Sequence, residues 1–163
     1  MESSDSPFNF QKQIVYFEKH ISLALQNSLP VVVHSRGNAE IQNQTLTSLS
    51  NILPSTHPIH WHCFTGSVEL YKSAVDKFSN IVFGITPFVF SEKYPNIHDI
   101  IHNFGVTNLV LESDAPYIPF KSTPGNPYLV HFVAEEISKI CCIPVESVFK
   151  TTTENCKRIY KLN

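Results

Sequence analysis

The sequence predicts an α/β protein with four parallel strands and flanking helices, and three observations carry that prediction. Four short apolar, largely β-branched runs alternate with segments whose apolar residues recur every three or four positions, the period of amphipathic helices. Such alternation builds parallel strands joined by right-handed crossovers, with the helices outside. Three of the runs turn polar at their carboxyl ends, where (β/α)8 barrels carry their working residues. The chain has 163 residues, 42% of them hydrophobic, enough for one core but not for two comfortable domains. Four strands do not close a barrel, so the chain reads as part of a larger one.

Residues 1–10 are polar and turn-rich and predict a flexible lead-in, with residues 11–163 forming the partial barrel. From Gln11 to Asn27 the residues Ile14, Phe17, Ile21, Ala24 and Leu25 mark an amphipathic helix. Pro30 to Arg36 is a β-branched strand whose two-residue period groups Val32, His34 and Arg36 against Val31 and Val33. A modest helix follows, from Ala39 to Ile52. Between His57 and Ser67 the same parity groups His60, His62 and Phe64 on one face and Ile59, Trp61 and Cys63 on the other. Gly66 and Ser67 then turn into a helix from Val68 to Phe78. Ile81 to Thr86 is the next strand, with Gly84 allowing backbone or substrate to come close. An aromatic loop, Pro87 to Tyr94, precedes a short helix from Asn96 to Phe104.

The last strand runs from Leu109 to Asp114 and is stopped by Pro116. Parity places Val110, Glu112 and Asp114 on one face. Two carboxylates pointing into one interior need cations, a metal or hydrogen bonds, unless they merely cap the next segment. A proline-rich loop, Pro119 to Pro127, leads to two final helices, Asn126 to Ile140 and Pro144 to Tyr160.

Composition narrows the function. Twelve Lys and Arg against 14 Asp and Glu give a formal charge of −2, so a nucleic-acid substrate must be held locally rather than by bulk charge. No run of eighteen apolar residues and no secretory leader pattern is present, which predicts an intracellular protein, in nucleus or cytoplasm, without a membrane partner. The four cysteines show neither a CxxC pair nor a disulfide framework and read as reduced packing residues, with Cys63 facing the helices.

His34, His62 and Asp114 each stand at the carboxyl end of a different predicted strand, and such donors suit Zn²⁺, Mn²⁺ or Mg²⁺. Taken singly, either histidine reads as an ordinary core or rim residue. Convergence from separate strands points instead to a hydrolytic metal centre. Arg36 is placed to neutralise Glu112 or to grip a phosphate bidentately, or to form a plain rim salt bridge. His60 and Glu112 lie one residue pair deeper and read as support for the ligands, or as a buried polar pair, rather than as ligands.

Together, Pro30 to Arg36, His62 to Ser67 and Leu111 to Tyr117 resemble the TatD-type metal-dependent deoxyribonucleases. Gln11 to Ala24, Asn126-Pro127 and Thr153 to Tyr160 are similar to that family's helices and late loop, and Ile59-His60 before His62 is most similar to its animal nuclear-type branch. The resemblance implies the C-terminal half of a TIM-type (β/α)8 metal-dependent hydrolase barrel of the amidohydrolase superfamily. It implies hydrolysis of phosphodiester bonds in DNA, or in RNA, of the 3′–5′ exonuclease kind with two divalent metals. By motif match His34 and His62 ligate one metal. Asp114 ligates the other and orients or deprotonates the attacking water, and Thr65 and Gly66 line the pocket. The family's His-x-His strand and its fourth-strand glutamate have no counterpart here. That departure implies a truncated chain which binds metal weakly, cleaves poorly, and associates with itself or with a missing N-terminal half. Two other readings are a metallohydrolase of another ester or amide, and a non-catalytic half-barrel that binds a protein or nucleic acid.

Overall fold

In the computed structural model, which describes residues 7–120 and 123–162, four strands pair in parallel in chain order. They are β1 (Val31–His34), β2 (Ile59–His62), β3 (Ile81–Ile85) and β4 (Leu109–Leu111). Helix α1 (Pro7–Gln26) precedes β1, and α2 (Ala39–Ile52), α3 (Val68–Lys77) and α4 (Pro95–Phe104) make the crossovers. Helices α5 (Val130–Cys141) and α6 (Val145–Tyr160) close the chain. Asn38 and Ser67 cap α2 and α3 by accepting the amides of Ile41 and Leu70, the local chemistry that fixes where each crossover begins. No helix among the described residues is long and apolar enough to cross a membrane.

The strands stay in step. Val33 lies opposite Trp61, Trp61 opposite Phe83, and Phe83 opposite Leu109, so one parity forms one continuous face. Val31, Val33, Ile59, Trp61, Ile81, Phe83, Ile85 and Leu109 are all buried on it beneath the helices. That apolar layer holds the sheet in place and leaves the opposite parity, Val32, His34, His60, His62, Val82 and Val110, as the inner face.

Two differences from the sequence reading bear on function. Helix α1 starts at Pro7, inside the stretch expected to be loose, because proline is preorganised for a first helical position. Residues 1–6 of that stretch lie outside the described residues. The second difference concerns α6, which does not stay in the outer layer. Val148 and Ile159 are eleven residues apart and so share a helix face, yet Val148 joins the helix-side core while Ile159 packs on Val82 and Val110 of the inner face. The helix therefore passes beneath the amino ends of the strands. Asn155 Nδ2 pins it by donating to the carbonyls of Thr107 at 2.9 Å and Leu109 at 2.8 Å, and Arg158 donates to the Asn80 side chain just before β3. As a result β3 and β4 are buried on both faces, whereas Val32 on the edge strand β1 is 53% exposed.

Candidate metal centre

The parallel register sets His34 directly opposite His62 at the carboxyl ends of β1 and β2. Their ring centroids are 5.4 Å apart with the planes inclined at 32°. Two imidazoles bound to one ion at about 2.0–2.1 Å hold their centroids roughly 5 to 5.5 Å apart, so this pair has the spacing of two ligands to a common metal. The His34 pKa lies below its ordinary value, first because the ring is partly shielded from water at the otherwise exposed rim and then because His62 and Arg36 repel a proton there. The neutral imidazole is the form that ligates a metal.

Glu112 organises the deeper part of the site. Its backbone amide donates to Ile85 O at 2.9 Å, continuing the β4 ladder one residue past the strand. From there the carboxylate reaches over β3 to β2. Oε1 accepts a 2.7 Å hydrogen bond from His62 Nδ1 and lies 2.9 Å from His60 Nε2, and Oε2 accepts the Cys63 amide at 2.7 Å. The His60 contact is close but poorly aligned for a hydrogen bond. Gly84 makes the crossing possible, since a Cβ there would stand 1.9 Å from Glu112 Oε2. The group that comes close to Gly84 is thus this carboxylate. Burial alone would raise the Glu112 pKa, but His60, His62 and the Cys63 amide outweigh it and hold the group below the usual range, ionised. An ionised Oε1 requires His62 to carry its proton on Nδ1. The lone pair of Nε2 then points to the rim, where Asp114 Oδ1 lies 3.7 Å away.

Strand parity fails at two rim residues. Cys63 has φ +47°, a left-handed conformation that costs a non-glycine residue about 1–2 kcal/mol. The backbone reversal there exchanges the faces of Cys63 and Phe64. Phe64, expected beside His62, packs into the helix-side core against Trp61 and Phe83. Cys63, expected to face the helices, turns its Sγ toward the Arg36 guanidinium at 3.7 Å and the Thr86 hydroxyl at 3.8 Å. Burial pushes the Cys63 thiol pKa up, so it remains a thiol rather than a nucleophile. Asp114 also has φ +47°, three residues beyond the end of β4. It reaches the inner rim through that turn, not through strand alternation.

Arg36 forms no ion pair with Glu112 or with any other carboxylate among the described residues, and lies over the Phe88 ring at 5.8 Å. Arg36 is an exposed residue at the rim, and a guanidinium with no carboxylate partner is suited to an anion. Thr65 is half-buried. Gly66 is enclosed, because a Cβ would come within 2.6 Å of Phe64 and 2.8 Å of Leu70, so its want of a side chain serves packing.

Comparison with known proteins places this arrangement. The family model described as TatD related DNase matches residues 3–161. The chain belongs to that family. An uncharacterised metal-dependent hydrolase of Bacillus subtilis, YabD, is 27% identical over 166 residues, covering 97% of this chain and 60% of YabD. One from Methanocaldococcus jannaschii is 31% identical, covering 94% of this chain and 57% of that protein. The human 3′-5′ RNA nuclease TATDN2 is 26% identical over 90% of this chain and 20% of its own length. The crystal structure of YJJV, a TatD homolog from Escherichia coli, superposes with a TM-score of 0.84 at 22% identity, covering 99% of this chain and 61% of that one. The chain therefore spans about 60% of the length of YabD and shares its fold with the TatD and amidohydrolase barrels.

Within this TatD-family chain the donors are two imidazoles and a carboxylate at one rim. Among the described residues no group of three or more His, Cys, Asp or Glu side chains closes around a single point. His34 and His62 have the spacing to share one ion, and Asp114 Oδ1 lies 3.7 Å from His62 Nε2. Sequence reasoning missed Gly84 as the seat of Glu112, the Cys63 amide as a donor to it, and Tyr160, whose hydroxyl meets His60 Nδ1 at 2.5 Å. The isolated glycine in a strand was the one available signal.

Proposed function

We propose that this chain supplies the His34, His62 and Asp114 side of a divalent-metal centre that hydrolyses phosphodiester bonds in nucleic acid, proceeding from a 3′ end. The observation that carries this reading is the His34–His62 pair at 5.4 Å, with the Glu112 carboxylate 2.7 Å from His62 Nδ1 on the side away from the rim. The printed activities of two relatives support the substrate class: the human 3′-5′ RNA nuclease, and the 3′-5′ ssDNA/RNA exonuclease TatD of Erwinia amylovora. DNA and RNA are both within this proposal.

In this reading His34 and His62 hold one ion through nitrogen, and Asp114 holds a second, drawn from Mg²⁺, Mn²⁺ or Zn²⁺. A bound divalent ion lowers the pKa of water toward 7 and offsets charge on a phosphate oxygen. Asp114 orients the attacking water and takes its proton on the carboxylate. Arg36 grips a phosphate bidentately, which gives a chain of net charge −2 a local hold on an anionic polymer. Glu112 and His60 stay off the ions and keep His62 aimed. With two imidazoles and one carboxylate as its donors, the 163-residue chain binds metal weakly and turns over slowly by itself.

The experiment is calorimetric titration with Zn²⁺ and Mn²⁺, followed by digestion of 3′-labelled single-stranded DNA and RNA. Wild type binds more tightly than the double variant His34→Ala/Asp114→Ala, and Arg36→Gln reduces cleavage of nucleic acid more than of a neutral ester. Equal metal binding by wild type and the double variant overturns the proposal for this chain.

A further inference from the structure

Helical spacing brings two matching faces together beside the rim. On α1 the residues Gln13, Ile14 and Phe17 lie three and four positions apart and so share one face. On α2 the residues Ile41, Gln44 and Ser48 do the same. The two faces line one cavity of about 230 Å³ that ends at His34 and Arg36. Side-chain hydrogen bonds hold its frame. Buried Ser48 donates to Glu18 Oε1 at 2.8 Å and ties α2 to α1, while the Ser35 and Thr45 hydroxyls meet at 2.8 Å and tie the rim to α2.

The chemistry of the lining names its occupant. Phe10, Ile14, Phe17 and Ile41 offer apolar surface, half of it aromatic, on which a flat ring stacks. The side-chain amides of Gln13 and Gln44 make no hydrogen bond among the described residues, so each keeps its donors and its acceptor for a guest. A carboxamide meets the edge of a base through one donor and one acceptor together. Arg36, which has no carboxylate partner, stands at the end of the cavity and suits a phosphate. With about 230 Å³ the cavity is smaller than the roughly 300–1,000 Å³ of sites for drug-sized ligands, and so has room for one ring system but not for a base pair. An acyl or alkyl guest would leave both amides unpaired, and a sugar would leave the phenyl faces unstacked.

We infer that this cavity is a nucleobase subsite: it takes one unpaired base of the nucleotide whose phosphate lies on Arg36, stacks it on the phenyl rings and reads its edge with Gln13 and Gln44. The inference rests on the nucleic-acid reading of the metal centre and adds a requirement to it. In a duplex the pairing edge of a base is occupied and its faces are covered by the neighbouring bases. The subsite therefore accepts a base from a single strand or a frayed end, and a base within a duplex must first leave the stack.

The test uses the metal-free 163-residue protein, so that the subsite and the metal centre fail separately. The probes are dAMP, dTMP and base-free deoxyribose phosphate, followed through the 1H–15N shifts of the glutamine side-chain amides. At least one nucleotide binds about tenfold or more tightly than the sugar phosphate and shifts the amides of Gln13 and Gln44. Gln44→Leu, which keeps the volume and removes the amide, weakens that nucleotide by about threefold to tenfold and leaves the sugar phosphate unchanged. Ile14→Trp fills the cavity and brings the nucleotides down to the affinity of the sugar phosphate. Arg36→Gln weakens all three probes. Nucleotides that bind no better than deoxyribose phosphate overturn the inference, as does nucleotide binding that neither Gln44→Leu nor Ile14→Trp alters. Base-dependent binding in a chain whose Zn²⁺ affinity matches that of His34→Ala/Asp114→Ala overturns the metal reading and upholds the subsite.

Discussion

Gly84→Ala is the substitution that most directly probes how the site is built. The backbone at Gly84 does not need glycine for its conformation; the obstacle is the Glu112 carboxylate, 1.9 Å from the new Cβ at Oε2 and 2.6 Å at Oε1. Carbon atoms at Cβ essentially never approach a neighbour within 3.0 Å, so the carboxylate must withdraw by roughly 1 Å or more. Hydrogen bonds of 2.7 Å to His62 and to the Cys63 amide do not survive that displacement. A buried charge stripped of its partners costs about 3–5 kcal/mol, a large share of the roughly 5–15 kcal/mol that stabilises a typical domain. Urea unfolding followed through the fluorescence of Trp61, the single tryptophan, measures it. The decisive comparison is the same substitution in a Glu112→Ala background, where no carboxylate is left to displace. There alanine is neutral, or stabilises by about 0.5–1 kcal/mol through the lower entropy of the unfolded chain. A cost within about 0.5 kcal/mol in both backgrounds would refute the account of Gly84 as the seat of Glu112.

Three further outcomes follow from the fold. Asn155→Ala leaves the carbonyls of Thr107 and Leu109 without their donor and lowers stability by about 2 kcal/mol, read as a fall in the urea midpoint. His57 is buried and donates from Nε2 to Leu29 O at 3.0 Å, and burial holds its pKa below 6.5, so folding favours the neutral ring. The stability from keeping it neutral is complete above about pH 6.5 and is lost as pH falls through the lower folded pKa; His57→Gln flattens this part of the unfolding-versus-pH curve relative to wild type. With a thiol reagent at neutral pH, exposed Cys142 reacts first and Cys63, buried with a raised pKa, reacts last; rapid labelling of Cys63 in the native protein would contradict its placement.

The parity of β1 and β2 was legible because a two-residue period depends only on the strand staying extended, and His34 beside His62 follows from it directly. It ceased to be legible at Cys63. A left-handed residue is announced in sequence by glycine or asparagine, and cysteine gives no such sign, so Phe64 and Cys63 were assigned to each other's faces. Asp114 was placed at the rim for the wrong reason, since β4 ends at Leu111 and a turn carries the carboxylate inward. The period of α6 was readable, but a helix face does not say which of two layers it covers. Here it covers both in succession. The pairing of Tyr160 with His60 joins residues one hundred positions apart, and neither residue type carries a local signal for the other.

The uneven covering of the sheet also sets how the molecule breathes. Strands β3 and β4 lie between the outer helices and α6, with Val82, Phe83, Leu109 and Val110 at 1% exposure or less. Strand β1 has one free edge and one open face. Local opening needs less free energy where fewer apolar contacts are lost. Amide hydrogens of β1 therefore exchange with solvent soonest, those of β3 and β4 latest, and β2 falls between. His34 rides on the strand that opens most readily and His62 on its steadier neighbour, so the spacing of the two imidazoles varies chiefly through the motion of β1.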